Sequence, residues 1–513
     1  MNTVEFLSPQ EAWKALCDYR DQYYRQYAAV YSGDRDELRK TSKPGLFWAR
    51  DGKAKIHMGL AGDIAATSAD LLFGEEAAFS SEEAMKANST DNPQQARLDK
   101  IVTDNNIGGT LSEAAESCAV LGDVFLKISY WRDGLECPIL SAVQADSAWA
   151  EYVVGALRCV HFFSVAARSA EGDRVLRIYE RYEKGKITTK LFLGDSEKLG
   201  REQGADKLKK IGIEADNKLP VDEMLAVHIP NVRPNRRFRD SRLGRSDLDG
   251  LRDELDSLDE AYSSWMRDIR LAKARQIVPA EYLRRRPEDM FEGGSKFTYE
   301  FDEDVETFVA LDIDPSRLTN PIIASQFAIR ADEHAKTCAD LIRNIVTEAG
   351  YSPQTFGMDI SGNAQSGSAL RIREKKSAST RNKKQTYWAG PLTAIMTALV
   401  RLDAALYPTQ GSSPTDSVDV QFADTMSSDL STISAALMSL NSAIAMSTEE
   451  KVRTLHPDWS DQDVTDEAAR IAAENGFLLP APDMGLGDLE KRKKTVSTPE
   501  NKTPTAEGEG GEA

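Results

Sequence analysis

Read as hydrophobic and polar positions, the chain moves between helical and strand periods. Ser8, Pro9 and Glu11 form a capping-box start, and the run after them to about Leu38 carries Trp13, Leu16, Tyr23, Tyr24 and Tyr27 among charges. The pattern predicts one helix with an aromatic face. A second helix is predicted from about Gly59 to Phe73, with Ile64, Ser68, Leu71 and Leu72 on one side and Gly74 at its end. From 108 onward IGGTLSEAAESCAVLGD reads as a small-residue helix. VFLKISYW then alternates, with Val124, Leu126, Ile128 and Tyr130 facing one way and Lys127 and Ser129 the other. Further strands are predicted at 157–165, 175–183, 186–193 and 225–229, between Gly, Asp and charged turns. Residues 40–245 thus read as one α+β unit.

A heptad follows. Leu248, Leu251, Leu255, Leu258, Tyr262, Trp265, Ile269 and Ala272 recur at alternating spacings of three and four, with Asp, Glu and Arg between them. They predict a helix of about 26 residues, about 39 Å long, that buries one narrow seam against other helices. Residues 276–313 turn β-like again (QIVPAEYL, KFTYEF, VETFVAL), with Gly293-Gly294 as a turn. A second long helix is expected from about Asn320 to Ala349, with Phe327, Ala331, Cys338, Ile342 and Ile345 on one face. The two helices bracket a β insert, either as a hairpin within one subunit or side by side with copies from neighbours. Residues 351–367 read as a loop, after which a helical pattern runs to about Leu406 with a break or kink expected at Gly390-Pro391. PTQGSSPTDS is a linker, VDVQF a short strand, and 428–475 a set of helices with a turn at Pro457-Asp458. The tail from 476 to 513 has few large apolar residues and is expected to be disordered.

Composition changes this picture little. The 513 residues are 28% charged and 41% hydrophobic, ordinary for a soluble folded chain and about three domains' worth at roughly 100–200 residues each. A membrane-spanning helix needs about 20 consecutive apolar residues, and no window offers that without a charge, so no membrane partner is expected. MNTVEFLSPQEAW does not read as a secretory signal. Five cysteines, odd in number and widely spaced, read as reduced thiols of a cytosol-made protein.

Charge matters more. Sixty-four basic and 82 acidic side chains give −18, which argues against a chain that wraps nucleic acid, because such affinity comes mostly from Lys and Arg. Yet residues 231–245 carry six arginines against one acid, and residues 371–384 seven basic residues against one. Taken singly, each reads as a solvated face.

No Walker-type G-x-x-x-x-G-K-[ST], G-x-S-x-G, H-E-x-x-H or C-x-x-C occurs. Cys159 and His161 share a side of one strand, but two ligands fall short of the three or four of a zinc site, and a core Cys beside a half-buried His is expected. Asp302-Glu303-Asp304 with Asp312 and Asp314 offer oxygen ligands suited to Mg²⁺, as a Mg²⁺-dependent nuclease would need. Such acids on strand ends read as solvated charge. No catalytic residue, cofactor or metal ligand is assigned from the residues alone.

The order of segments carries more weight than any motif. The N-terminal helix, ADLLFGEE, ESCAVLGDVFLKISYW, SDLDGLRDELDSLDEAYSSWMRD, a β insert, NAQSGSALRIR opening another long helix, and IAMSTEEKVRTLHPDWSDQDVTDEAARIAAENG follow one another. This order resembles the portal proteins of tailed bacteriophages, SPP1 Gp6-like, over roughly residues 40–476. The resemblance implies an α+β subunit: an N-terminal helix (1–39), a wing (40–246), a stem helix (247–275), a β-containing clip (276–318), a second stem helix (319–350), a tunnel loop (351–367), a long helix returning to the wing (368–427), a helical crown (428–475) and the tail (476–513). It implies a ring of about twelve copies at one capsid vertex, in the virion and, during assembly, in the host cytoplasm. Double-stranded DNA would pass through the ring, with the terminase large subunit, a head-tail connector, the major capsid protein and the scaffolding protein as partners, and no enzymatic activity or cofactor of its own. Candidate DNA-channel or tunnel-loop residues are Gln354, Asn363, Gln365, Lys375 and Lys376. Leu248, Leu251, Leu255, Leu258, Tyr262, Trp265 and Ile269 are the candidate subunit-packing seam. A coiled-coil scaffold or adaptor without a channel is the alternative, and it would assemble as a dimer.

Overall fold

The structure, a computed structural model, describes residues 6–51, 55–82, 92–131, 134–169, 174–210, 213–272, 275–279, 308–311, 323–325, 328–358, 367–423, 430–443, 445–456, 459 and 461–474. Contacts divide the chain into two compact units, 1–427 and 428–513.

The first unit opens with helix α1 (Pro9–Tyr19), whose capping box forms: Ser8 Oγ accepts from the Glu11 amide at 3.3 Å and the Glu11 carboxylate from the Ser8 amide at 2.8 Å. A π turn (Arg20–Tyr24) leads into α2 (Arg25–Ser32). In an α-helix adjacent side chains point roughly 100° apart. The wider π turn lets the neighbours Tyr23 and Tyr24 both turn inward beside Tyr19 and Tyr27, all four buried. Gly33, at φ 67°, ends α2, and Asp34 caps a separate α3 (Arg35–Thr41). The single helix expected to Leu38 is therefore interrupted, because only glycine takes that backbone turn without strain.

Next come α4 (Leu60–Phe73), β1 (Ala78–Ser81), α5 (Pro93–Asp104) and α6 (Ile107–Leu121), which feeds β2 (Asp123–Ser129) through Gly122 at φ 94°. A Cβ on Gly122 would stand 2.7 Å from the Ser246 amide nitrogen. β2 is the centre of an antiparallel sheet ordered β10–β2–β3, with β3 Ile139–Gln144 and β10 Ala226–Pro230. Its first four residues are all buried, Phe125 included, so both faces are covered and the expected one-sided alternation gives way to continuous burial. The second sheet is β4 (Ala148–Val153), β5 (Ala156–Arg168), β6 (Val175–Glu183), β7 (Lys186–Gly194) and β8 (Arg201–Glu202), all antiparallel, with β9 (Asp216–Lys218) also on β7. Trp13 and Leu16 of α1 cover it through a small cluster with Phe163, Tyr179, Phe192 and Leu199.

After the short α7 (Ala205–Lys210), the strands β9 and β10 and the loop from Asn231 to Leu251 comes α8 (Arg252–Leu271). The insert that follows has β11 (Arg275–Pro279) between a parallel β12 (Phe308–Leu311) and an antiparallel β13 (Ile323–Ser325). β13 occupies part of the segment expected to be helical from Asn320, and the helix α9 is Ala331–Ala349. α10 (Gly367–Leu406) runs through Gly390-Pro391 without a break: one proline removes one backbone donor, and the apolar turns on either side hold the helix in the core. The helical stretch 374–406 contains an 18-residue window apolar enough to cross a membrane, but 56% of that window is buried within the protein, as suits a core helix. β14 (Val418–Gln421) then pairs antiparallel with β1, so the late chain is stitched back onto the early chain.

The second unit holds α11 (Leu430–Ser442), α12 (Thr448–Leu455), capped by Ser447, and α13 (Asp461–Glu474). Leu437, Val452, Val464 and Ala468 are its buried apolar residues among those described. His456 stacks on Trp459 with ring centres 4.0 Å apart. Pro457-Asp458 and the tail lie outside the described residues.

Candidate functional site

Helices α8 and α9 run antiparallel, tied at both ends. At one end Asp268 accepts hydrogen bonds from His334 Nε2 (3.0 Å) and Arg330 Nη2 (2.8 Å), which hold its carboxyl below the usual range, and Trp265 stacks on His334. At the other, Asp247, just before α8, accepts from the hydroxyl of Tyr351, just after α9, at 2.7 Å.

That second tie belongs to a larger hub. Lys384 on α10 is 1% exposed and donates to Asp247 Oδ2 at 2.5 Å, to Ser68 Oγ of α4 at 2.5 Å and to the Tyr351 hydroxyl at 3.0 Å. Asn231 donates to the other Asp247 oxygen at 2.8 Å. Five residues far apart in the chain, Ser68, Asn231, Asp247, Tyr351 and Lys384, thus meet at one buried ion pair. Burial pushes the Tyr351 hydroxyl well above its ordinary pKa, and the neighbouring Asp247 carboxylate adds to this.

The polar side of α8 is equally buried in its first half. Arg252, Asp256 and Asp259 are at most 6% exposed. The Asp259 carboxylate accepts from Trp48 Nε1 (2.7 Å), the Met58 amide (2.7 Å) and His57 Nδ1 (2.8 Å), while Arg252 bonds Asp256 at 3.2 Å. Outside these, Lys43 pairs with Asp253 and Arg50 with Glu260. Residues 42–50 and 55–58 therefore cover the charged face that periodicity alone assigns to solvent.

His57 offers one titration. Burial disfavours its charged form and so does Arg252, but both ring nitrogens face acceptors, Asp259 and the Val30 carbonyl (3.0 Å), and its pKa is raised above 6.5. A raised folded value stabilises fully below the unfolded pKa, and the gain is lost as pH rises through the folded value. Melting followed from about pH 5 to about pH 9 is expected to show the advantage of wild type over His57→Asn shrinking toward alkaline pH. Parallel curves would contradict this role.

The comparisons with known proteins come to bear on this geometry. Residues 22–476 match the sequence profile of the phage portal proteins, SPP1 Gp6-like. The chain belongs to this family. It is a portal protein of the capsid vertex, and the family is structural rather than enzymatic. No curated protein sequence matches the chain. Among solved structures, the portal chain is similar to a chain of the virion of a native gene transfer agent particle (11% identity, TM-score 0.38, covering 83% of this chain and 98% of that one). It is also similar to one in the neck of the native particle computed with C12 symmetry (13%, 0.37, 77% and 90%), and to one in the neck of the empty particle computed with C6 symmetry (11%, 0.41, 82% and 97%).

The residues singled out from sequence fall into distinct environments in the portal subunit. Leu248 and Leu251 precede α8, and they, Leu255 and Leu258 are at most 2% exposed; they are spent on the subunit's own core and leave no surface for a neighbour. Tyr262 and Trp265 are half-buried, and Ile269 is 40% exposed. Gln354 lies half-buried in a 3₁₀ turn, Pro353–Phe356. Lys375 and Lys376 are exposed on α10, and the Lys376 ammonium bonds the Thr347 carbonyl of α9. Asn363, Gln365, Asp302, Glu303, Asp304, Asp312 and Asp314 lie outside the described residues.

The two basic segments also divide. Arg236, Arg237, Arg239 and Arg242 are exposed. From 371–384, however, Arg381 is buried against the Leu71 and Ala423 carbonyls and Lys384 sits in the hub. The hub itself was missed from sequence, although one signal existed. Ser377, Arg381, Lys384, Trp388, Leu392, Ile395 and Leu399 follow a three-and-four spacing, and all are buried, so the two cations stand in register with the apolar stripe of α10.

Proposed function

We propose that this portal protein closes into a ring of about twelve copies by a head-to-tail contact and forms a channel through which double-stranded DNA is packaged and later ejected. Family membership over residues 22–476 is the observation that carries the reading. On it, residues 40–246 and 368–427 form the wing, 247–275 and 319–350 the stem, 276–318 the clip, 351–367 the tunnel loop and 428–475 the crown. The pairing of β1 with β14 supports a wing built from two distant stretches of chain.

Lateral packing in the ring is assigned to the free surface of the helix pair. On α9 only Cys338, Ile345 and Val346 are buried, leaving its remaining surface, Ala335 included, for neighbouring copies. On α8 the seam is the distal part, Tyr262, Trp265 and Ile269, and the leucines behind it set its position. Lys375 and Lys376, with Gln354, Asn363 and Gln365, are the groups proposed to meet DNA in transit. A channel must let its cargo slide; each cation adds salt-dependent grip, and a chain of net charge −18 keeps that grip low. Terminase, which would drive the DNA, the head-tail connector and the capsid and scaffolding proteins are the proposed partners, with assembly in the host cytoplasm. Electron microscopy of the purified protein tests the reading: closed rings with a central hole are expected, and a population without rings at any salt concentration would overturn it.

A further inference from the structure

The antiparallel register of β4 and β5 sets Glu151 opposite Cys159 and Trp149 opposite His161. Cross-strand partners and residues two apart share a face, so Glu151, Cys159 and His161 project to the same side, with a register shift between Glu151 and Tyr152. Cys159 and His161 are fully buried and the Glu151 side chain is 11% exposed; the expected half-buried histidine is closed off from solvent. Cys159 Sγ lies 3.4 Å from His161 Nε2 and 3.6 Å from Glu151 Oε2, and the last two atoms are 3.3 Å apart. The Tyr179 hydroxyl, 2.9 Å from His161 Nδ1, occupies the other ring nitrogen and orients the imidazole. Arg158 holds Glu151 Oε1 at 3.1 Å, and the Leu7 amide donates to Oε2 at 3.1 Å.

The distances match the spacing that a metal ion imposes on its ligands, and the His161–Glu151 edge is long for a hydrogen bond. A charge-assisted N–H···O bond in a dry site closes to about 2.7–2.9 Å, shorter than the gap between His161 and Glu151. Ligand bonds of about 2.0–2.3 Å in tetrahedral geometry hold neighbouring donor atoms roughly 3.3–3.6 Å apart, and all three edges fall in that band. Thiolate with imidazole favours zinc, whereas Mg²⁺ and Ca²⁺ take oxygen ligands.

We propose that Glu151, Cys159 and His161 form a zinc-binding site, with Glu151 Oε2, Cys159 Sγ and His161 Nε2 at three corners and a water at the fourth. On binding, the Cys159 thiol releases its proton to solvent and coordinates as thiolate. The ion fastens β4, the edge strand of its sheet, to β5, and through the Leu7 amide it braces the start of the chain. The role is structural and does not depend on the portal reading.

The test uses the full chain, stripped of metal with a chelator and titrated with Co²⁺ in place of Zn²⁺. Tetrahedral cobalt absorption with a thiolate charge-transfer band is expected to saturate at one ion per subunit and to be displaced by Zn²⁺. Cys159→Ser and His161→Gln are expected to lose the charge-transfer and tetrahedral bands respectively. Chelator is expected to lower the melting temperature of wild type, and Zn²⁺ to restore it. If Co²⁺ keeps its octahedral aqueous spectrum with wild type and chelator leaves melting unchanged, the site is a hydrogen-bonded cluster and the proposal fails; this wild-type arm decides the matter even if a variant does not fold.

Discussion

Leu258→Asp is expected to unfold the isolated subunit, at a cost of roughly 4 kcal/mol or more: about 1.5–3 kcal/mol for the lost apolar burial and a further penalty for a carboxylate without a partner. Leu258 is 0% exposed and packs in the subunit's main apolar core, so an aspartate there would enter an apolar environment. Ile269→Asp, three positions further along the stripe, after Tyr262 and Trp265, and 40% exposed, should change subunit stability by less than about 1 kcal/mol and act on assembly instead. Denaturant unfolding of both variants, read beside their elution volumes, separates the two effects. A folded Leu258→Asp subunit that merely failed to assemble would place that leucine in a subunit interface and contradict the packing described above.

Lys384→Met is expected to be the second most damaging change, at about 3–5 kcal/mol, the usual cost of stranding one partner of a buried ion pair. Asp247 would keep its bonds from Tyr351 and Asn231 but lose its only buried cation among the described residues. The double variant Lys384→Met with Asp247→Asn removes the orphaned charge and should recover part of the loss, a non-additivity that a double-mutant cycle measures directly. Equal stability of Lys384→Met and wild type in urea would show that the hub does not hold the helices together. Because the hub joins α4, α10 and the adjoining ends of α8 and α9, its loss should also loosen the helix pair that the ring is proposed to use.

Sequence reasoning reached the elements whose causes are local. The Ser8–Glu11 box, the strands β5, β6 and β7 and the heptad of α8 from Leu255 onward are written in short-range spacing, and each is found near its expected place. Long-range causes were invisible. Nothing within α8 announces that Arg252, Asp256 and Asp259 are buried, because the chain that covers them lies some 200 residues earlier. Likewise Lys384 counts as one more charge in a basic run until Ser68, Asp247 and Tyr351 are brought to it. The π turn that lets Tyr23 and Tyr24 both face inward and the unbroken passage of α10 through Pro391 are tertiary outcomes, in which packing overrides local preference. Glu151 illustrates the same limit for chemistry: Cys159-x-His161 is visible along one strand, whereas the third group arrives across the ladder.

The candidate site was legible chiefly as an order of segments. That order identified the family, while the assignment of individual residues followed less well, because a leucine in a perfect heptad looks the same whether it faces its own subunit or the next one. Exposure separates the two cases here, leaving Tyr262, Trp265 and Ile269 as the part of the stripe with surface to offer.

The most direct test of the account is the mass of the purified protein in solution across a range of salt. A ring of about twelve subunits of 56.6 kDa predicts a particle on the order of 680 kDa that persists as salt is raised. A subunit mass of 56.6 kDa, or a dimer near twice that, at micromolar concentration under every salt condition would contradict it.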